Sequence, residues 1–411
     1  MLCKRDNQLE HRRPGRDCFN LVSQTVYEMN TSTLDFIVNT RRNSPKRLST
    51  RLVIDHLSSM KFNVQHSTMS PVLPFDIIAL IIGEDENTNL LRSLARVSPS
   101  FYQISSKYLF ATVELYDATH CDHIRSSKKA FVKLLEGRPD AVKYIRKLTY
   151  IVDYRINDGD HLLSPILLNF VPTFSRLNCL TINGSHRDWN TLDSSLTSVF
   201  LHLMHLTTIN HIELSYIVNF PLSSLTSSVN LHRLHLGHVS RPYIKDGSFE
   251  IVQSETAPKI REFHILRSSA MLQQDGRPAF NFMDLRRLSI ALGWCEDEQN
   301  IRYLLQNAKL LEKLHLSVGH DLRLVGLLSL GAHTIKVLDL TVLIYDSVPL
   351  LEGLCEGLEA MAGHNMLEAL SFEIRLPGDF YMDPDFMGST FQTVENVLFK
   401  PGWSALRQVF F

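Results

Sequence analysis

One six-residue pattern, apolar-x-x-apolar-x-apolar, occurs eleven times from Phe110 onward: FATVEL at 110, IRKLTY at 145, LNCLTI at 177, INHIEL at 209, LHRLHL at 231, IREFHI at 260, LRRLSI at 285, LEKLHL at 311, IKVLDL at 335, LEALSF at 367 and LRQVFF at 406. Successive starts lie 22 to 39 residues apart. That is the period of units that stack because none can bury its apolar face alone. Within each string the fourth and sixth residues face one side of a strand, and the third and fifth face the other. Between strings, helical stripes recur: Leu192, Leu196, Val199, Phe200 and Leu203 form one, and Leu351, Leu354, Cys355, Leu358 and Met361 another. Strand, turn and helix in repetition predict an α/β array over residues 111–411, with continuous parallel strands about 4.8 Å apart.

Three strings, LHRLHL, LRRLSI and LEKLHL, read Leu-polar-polar-Leu-polar-apolar, and through them the region resembles leucine-rich repeats. It departs from that family at the ninth place, where no string carries Asn or Cys. The resemblance implies an irregular leucine-rich-repeat-like α/β horseshoe solenoid. Its outward column would read Thr149, Thr181, Glu213, His235, His264, Ser289, His315, Asp339 and Ser371, with Lys147, His211, Arg233, Glu262, Arg287 and Lys313 beside it. Mixed polar side chains on a rigid sheet suit protein recognition. The candidate substrate-binding residues are Glu213, Arg233, His235, His264, Arg287, Lys313, His315 and Asp339, and the basic members hint at an acidic or phosphorylated target.

Ahead of the array, LPFDIIALIIGEDENTNLLRSLARVSPSFYQISSKYLF (73–110) reads as three helices. Pro74 and Asp76 suit a first turn. Ile77, Ile78, Leu80, Ile81 and Ile82 then cover most of a helix circumference. Thr88 or Asn89 caps a second helix bearing Leu90, Leu91, Leu94 and Val97, and Ser98-Pro99 opens a third bearing Phe101, Ile104, Ser105, Tyr108 and Leu109. So small a unit needs a neighbour to cover it.

On the Leu-Pro opening, the Ile pairs, the Leu-Leu, the Val-Ser before Phe101 and the closing Leu-Phe, the segment 71–110 resembles the F-box family. The resemblance implies that Leu73, Pro74, Ile77, Ile78, Ile81, Leu90, Leu91, Leu94, Val97 and Phe101 divide between a small core and contact with a Skp-type adaptor. It further implies a substrate-recognition subunit of a Skp/cullin/F-box ubiquitin ligase, with a protein substrate held by the array. A plain repeat scaffold without a ubiquitin role is the rival expectation.

Composition narrows the remaining classes. With 42 Lys and Arg against 43 Asp and Glu, no charge field for nucleic acid exists. Residues 1–70, with 11 basic and six acidic side chains, read as a poorly ordered basic tail. No apolar run reaches membrane-span length, and the six cysteines form no C-x-x-C pair, so reduced thiols and a cytoplasmic or nuclear location are expected. Among 18 histidines, His232, His235 and His238 are divided by strand alternation, which argues against a metal triad. Cys121 near His120 and His123 lacks an oxyanion site, and no nucleophile-elbow, zincin or phosphate-loop motif is present. Neither enzymatic activity nor a cofactor is expected.

Overall fold

The computed structural model describes residues 88–116, 127–152, 159–240, 257–268, 273–274, 277–278, 280–291, 298–318, 326–343, 350–375 and 384–410. They belong to one compact unit, Asn87–Phe411. The expected tail and the first F-box-like helix, with Leu73, Pro74, Ile77, Ile78 and Ile81, lie outside the described residues, as does Cys121.

Two helices open the described chain, α1 (Thr88–Leu94) and α2 (Pro99–Leu109). A sheet follows: β1 (Thr112–Leu115), β2 (Lys147–Ile151), β3 (Cys179–Asp188), β4 (His211–Val218), β5 (Arg233–Gly237), β6 (Glu262–Leu266), β7 (Arg287–Ala291), β8 (Lys313–Val318), β9 (Val337–Leu343), β10 (Ala369–Arg375) and β11 (Gln408–Phe410). All eleven strands are parallel, lie in chain order and form an open sheet. Each begins at the third place of one of the eleven strings. A two-residue antiparallel ribbon, Gln273–Gln274 with Arg277–Pro278, sits apart from it.

Register follows from backbone chemistry repeated at every join. The carbonyl at the second place of one string accepts two N–H groups, those of the second and third places of the next. Thus Asn178 and Cys179 donate to the Arg146 carbonyl, Asn210 and His211 to that of Asn178, and Arg407 and Gln408 to that of Glu368. Third places therefore stand side by side from Thr112 to Gln408.

The fourth and sixth places form the core, except in the last string, where Val409 is exposed. Leu148, Leu180, Leu236, Phe263, Leu314, Leu316, Leu338 and Leu370 are completely buried. Helices α3 (Ser127–Gly137), α4 (Gly159–Phe170), α5 (Ser194–Met204), α6 (Glu298–Asn307), α7 (Leu328–Gly331), α8 (Leu350–Met361) and α9 (Pro384–Leu398) connect the strands. Their apolar stripes, among them Leu163 and Leu167, Val199 and Phe200, Leu304, Leu358, and Val394, share that core. The two stripes expected from sequence lie on α5 and α8, with Leu196 and Leu354 buried among them, except that Leu192 precedes α5 in extended backbone after the 3-10 turn Trp189–Thr191. The other face of the sheet carries the third and fifth places.

Three local features differ from expectation. The segment between Val218 and Arg233 holds only the 3-10 turn Leu222–Ser227 instead of an α-helix, because the 22-residue spacing leaves too little chain for one. Helix α1 stops at Leu94, so Val97 is off the helix and 67% exposed. Pro99 enforces this: Ser98 is extended (φ −158°, ψ 161°), accepts the Phe101 N–H at 3.3 Å on its hydroxyl, and caps α2 as its sequence implies. On α2 the buried residues are Ile104, Ser105 and Ser106, while Phe101, Tyr108 and Leu109 are half-buried. Among the described residues, no helix is long and apolar enough to cross a membrane.

Candidate functional site on the open sheet face

The two outward columns project from the face opposite the helices. In the fifth-place column Thr149, Thr181, Glu213, His235, His264, Ser289, His315, Asp339 and Ser371 are in register, and Lys147, Cys179, His211, Arg233, Glu262, Arg287 and Lys313 flank them. All eight candidate substrate-binding residues therefore share one surface.

Their charges are largely answered within it. Glu262 lies between Arg233 (3.1 Å) and Arg287 (3.4 Å) on the neighbouring strands, and Lys313 pairs with Asp339 at 2.8 Å. The basic run suggested by sequence is thus shared with carboxylates, which weakens the hint of an acidic or phosphorylated target. A polar groove of about 780 Å³ runs along the amino-terminal ends of the middle strands, lined by Asn178, Asn210, Arg261, Asp284, Arg286 and Glu312 among others. Arg286 and Glu312 pair there at 3.2 Å.

Imidazoles dominate the centre of the face. The rings of His235 and His264 lie 5.7 Å apart. His264 is held down to about 4, first by loss of water around the ring, although the residue as a whole is exposed, and then by its neighbours His235, His211 and His315. Desolvation also lowers His235 and His315. His232 and His238 are elsewhere, each just outside β5, and His238 takes a left-handed φ of 52° instead of continuing the strand alternation. His232 Nδ1 lies 3.3 Å from the Lys259 carbonyl, and His238 stacks on Tyr216 at 4.6 Å. His202 and His205 donate to the Ser198 and Ser224 carbonyls, each at 2.7 Å.

Beside this row is a cluster that linear reading missed. Cys179 Sγ is 3.4 Å from His211 Nδ1, and His211 Nε2 is 3.2 Å from Glu213 Oε1. The other carboxylate oxygen accepts the Thr181 hydroxyl at 2.7 Å and faces Lys147 Nζ at 3.5 Å. Desolvation raises the Cys179 thiol, with Glu213 adding to the rise, and desolvation lowers His211 against the pull of Glu213. Glu213 falls below the ordinary carboxylate value: loss of water acts upward, but Thr181, Lys147 and His211 together outweigh it. At neutral pH the trio is thiol, neutral imidazole and carboxylate. The signal was available in the strings: Cys179 and His211 hold the third place of consecutive repeats, and Glu213 the fifth.

A thiol, an imidazole and a carboxylate in sequence resemble an acyl-transfer relay, but two observations oppose that chemistry. The thiol is held protonated, and Cys179 is buried. The cysteine N–H is engaged by the Arg146 carbonyl within the parallel ladder, so it cannot serve an oxyanion. Compared with known proteins, the chain matches no family model and no curated sequence.

Proposed function

We propose that the chain is a substrate-recognition subunit of a Skp/cullin/F-box type ubiquitin ligase, with its sheet forming the recognition face of an irregular leucine-rich-repeat-like horseshoe. The observation that carries this reading is the in-register double column of polar side chains on a sheet whose other face is packed with helices. Such a face offers rigid, directional hydrogen bonds and charges to a folded protein. The receptor needs no catalytic group, because holding a target near a charged conjugating enzyme raises its effective concentration. Capping of α2 by Ser98-Pro99 agrees with the F-box resemblance of residues 73–110. Within that segment Leu91 falls on the core side at 3% exposure, while Phe101 and Leu94 are half-buried and Val97 is open.

A second reading, a repeat scaffold without a ubiquitin role, draws on the burial of Leu91 and Ile104 in the same unit as the sheet. There Arg138, at the start of the turn Pro139–Tyr144, lies over the Tyr102 ring of α2 at 4.0 Å, so α1 and α2 would serve to cover the open end of the array. Co-expression of the full chain with a Skp adaptor separates the two. The receptor reading expects co-purification, lost in the double variant Pro74→Ala, Ile78→Asp while the thermal unfolding of the sheet is unchanged. Retained adaptor binding in that variant rejects the assigned interface, and absence of binding by the unaltered chain favours the scaffold.

A further inference from the structure

We infer that Cys179, His211 and Glu213 form a binding site for one divalent transition-metal ion of the zinc class on the outward face of the sheet. All three come from two paired strands, Cys179 from β3 and His211 and Glu213 from β4, and one donor atom from each lies within 4.8 Å of the others. Zinc bonds of about 2.0–2.3 Å at tetrahedral angles separate neighbouring donors by roughly 3.3–3.5 Å. The two short distances, Cys179 Sγ to His211 Nδ1 at 3.4 Å and His211 Nε2 to Glu213 Oε1 at 3.2 Å, run to opposite ring nitrogens and are not two edges of one coordination sphere. With one donor atom taken from each residue the three lie within 4.8 Å, so the side chains must draw together around the ion.

The donors suit a cation and must outweigh the positive charge of Lys147 and Arg233 beside them. Thiolate and carboxylate together balance the charge of a divalent ion, and the thiol proton leaves to solvent as the metal–sulfur bond forms. The second oxygen of Glu213 is held by Thr181 and Lys147, which orients the first toward the imidazole, as outer partners do at metal centres. The mixed sulfur, nitrogen and oxygen donor set favours zinc or cobalt over magnesium or calcium. Three protein ligands leave a fourth position for water on the outward face.

The test uses the full chain stripped with a chelator and titrated with Co2+ alone, followed by competition with Zn2+. The expected result is a thiolate-to-cobalt charge-transfer band saturating at one equivalent and displaced by zinc. The band should vanish in Cys179→Ser and persist in a His364→Gln control. Thr181→Val should weaken binding by about 10- to 100-fold. Alkylation of the unaltered protein, read by peptide mass spectrometry, provides a measure independent of variant folding, and Zn2+ should protect Cys179. Absence of the band, its survival in Cys179→Ser, or equal alkylation of Cys179 with and without zinc would each overturn the inference.

Discussion

Gly184 shows how little room single positions have where the sheet becomes irregular. A Cβ there would lie 2.5 Å from Ile217 Cγ1 and 2.7 Å from the Tyr216 carbonyl oxygen, and the second of these is backbone that has no rotamer to escape into. Pairing of β3 with β4 shifts between Asn183 and Arg187, and Ser185 and His186 adopt φ of 47° and 64° at the same place. Gly184→Ala is expected to destabilise the protein by about 1–3 kcal/mol. Chemical denaturation should show a lower midpoint with an unchanged slope. None of this was legible beforehand, because a bulge is decided by contacts between strands more than thirty residues apart. The Cys179, His211 and Glu213 cluster, by contrast, was legible in the strings, because aligning the third places of LNCLTI and INHIEL sets Cys179 beside His211; reading each string by itself is what missed it.

At the scale of elements, strands were read more easily than connections. A strand in this sheet is dictated by its own alternation, so the eleven strings locate all eleven strands, and both faces of every one but the last, which is exposed throughout. A connection is limited by the length available and by its termini. Ser98-Pro99 announced the start of α2 through a capping hydroxyl and a residue without an N–H. The same pair ended the preceding helix earlier than the Leu90, Leu91, Leu94, Val97 periodicity suggested. Removing the capping oxygen in Ser98→Ala should cost about 0.5–2 kcal/mol, with Ser98→Asp keeping most of it. Thermal unfolding of the two variants side by side checks this.

For the whole molecule, the histidine row links stability to acidity. His235, His264 and His315 all have folded values below the ordinary imidazole value of about 6.5, with His264 at about 4. The unfolded chain then binds more protons than the folded one across that interval, so stability increases with pH there. Stability should be full above about pH 6.5 and decline between there and about pH 4. Part of the effect is screened, since His264 remains partly in water. Denaturation midpoints measured across this range should fall on acidification, and His264→Gln should make the fall shallower. A flat profile in the unaltered protein would contradict the assigned protonation states.

The doubly accepting carbonyls at each join bear on how such a chain can change over time. Sliding one strand by a single residue would strip partners from amides on both of its borders and swing its leucines toward water. Added or deleted residues are therefore confined to the links between strands, whose lengths already vary from unit to unit. The order of side chains along the outward surface can be preserved while the scaffold behind it grows or shrinks.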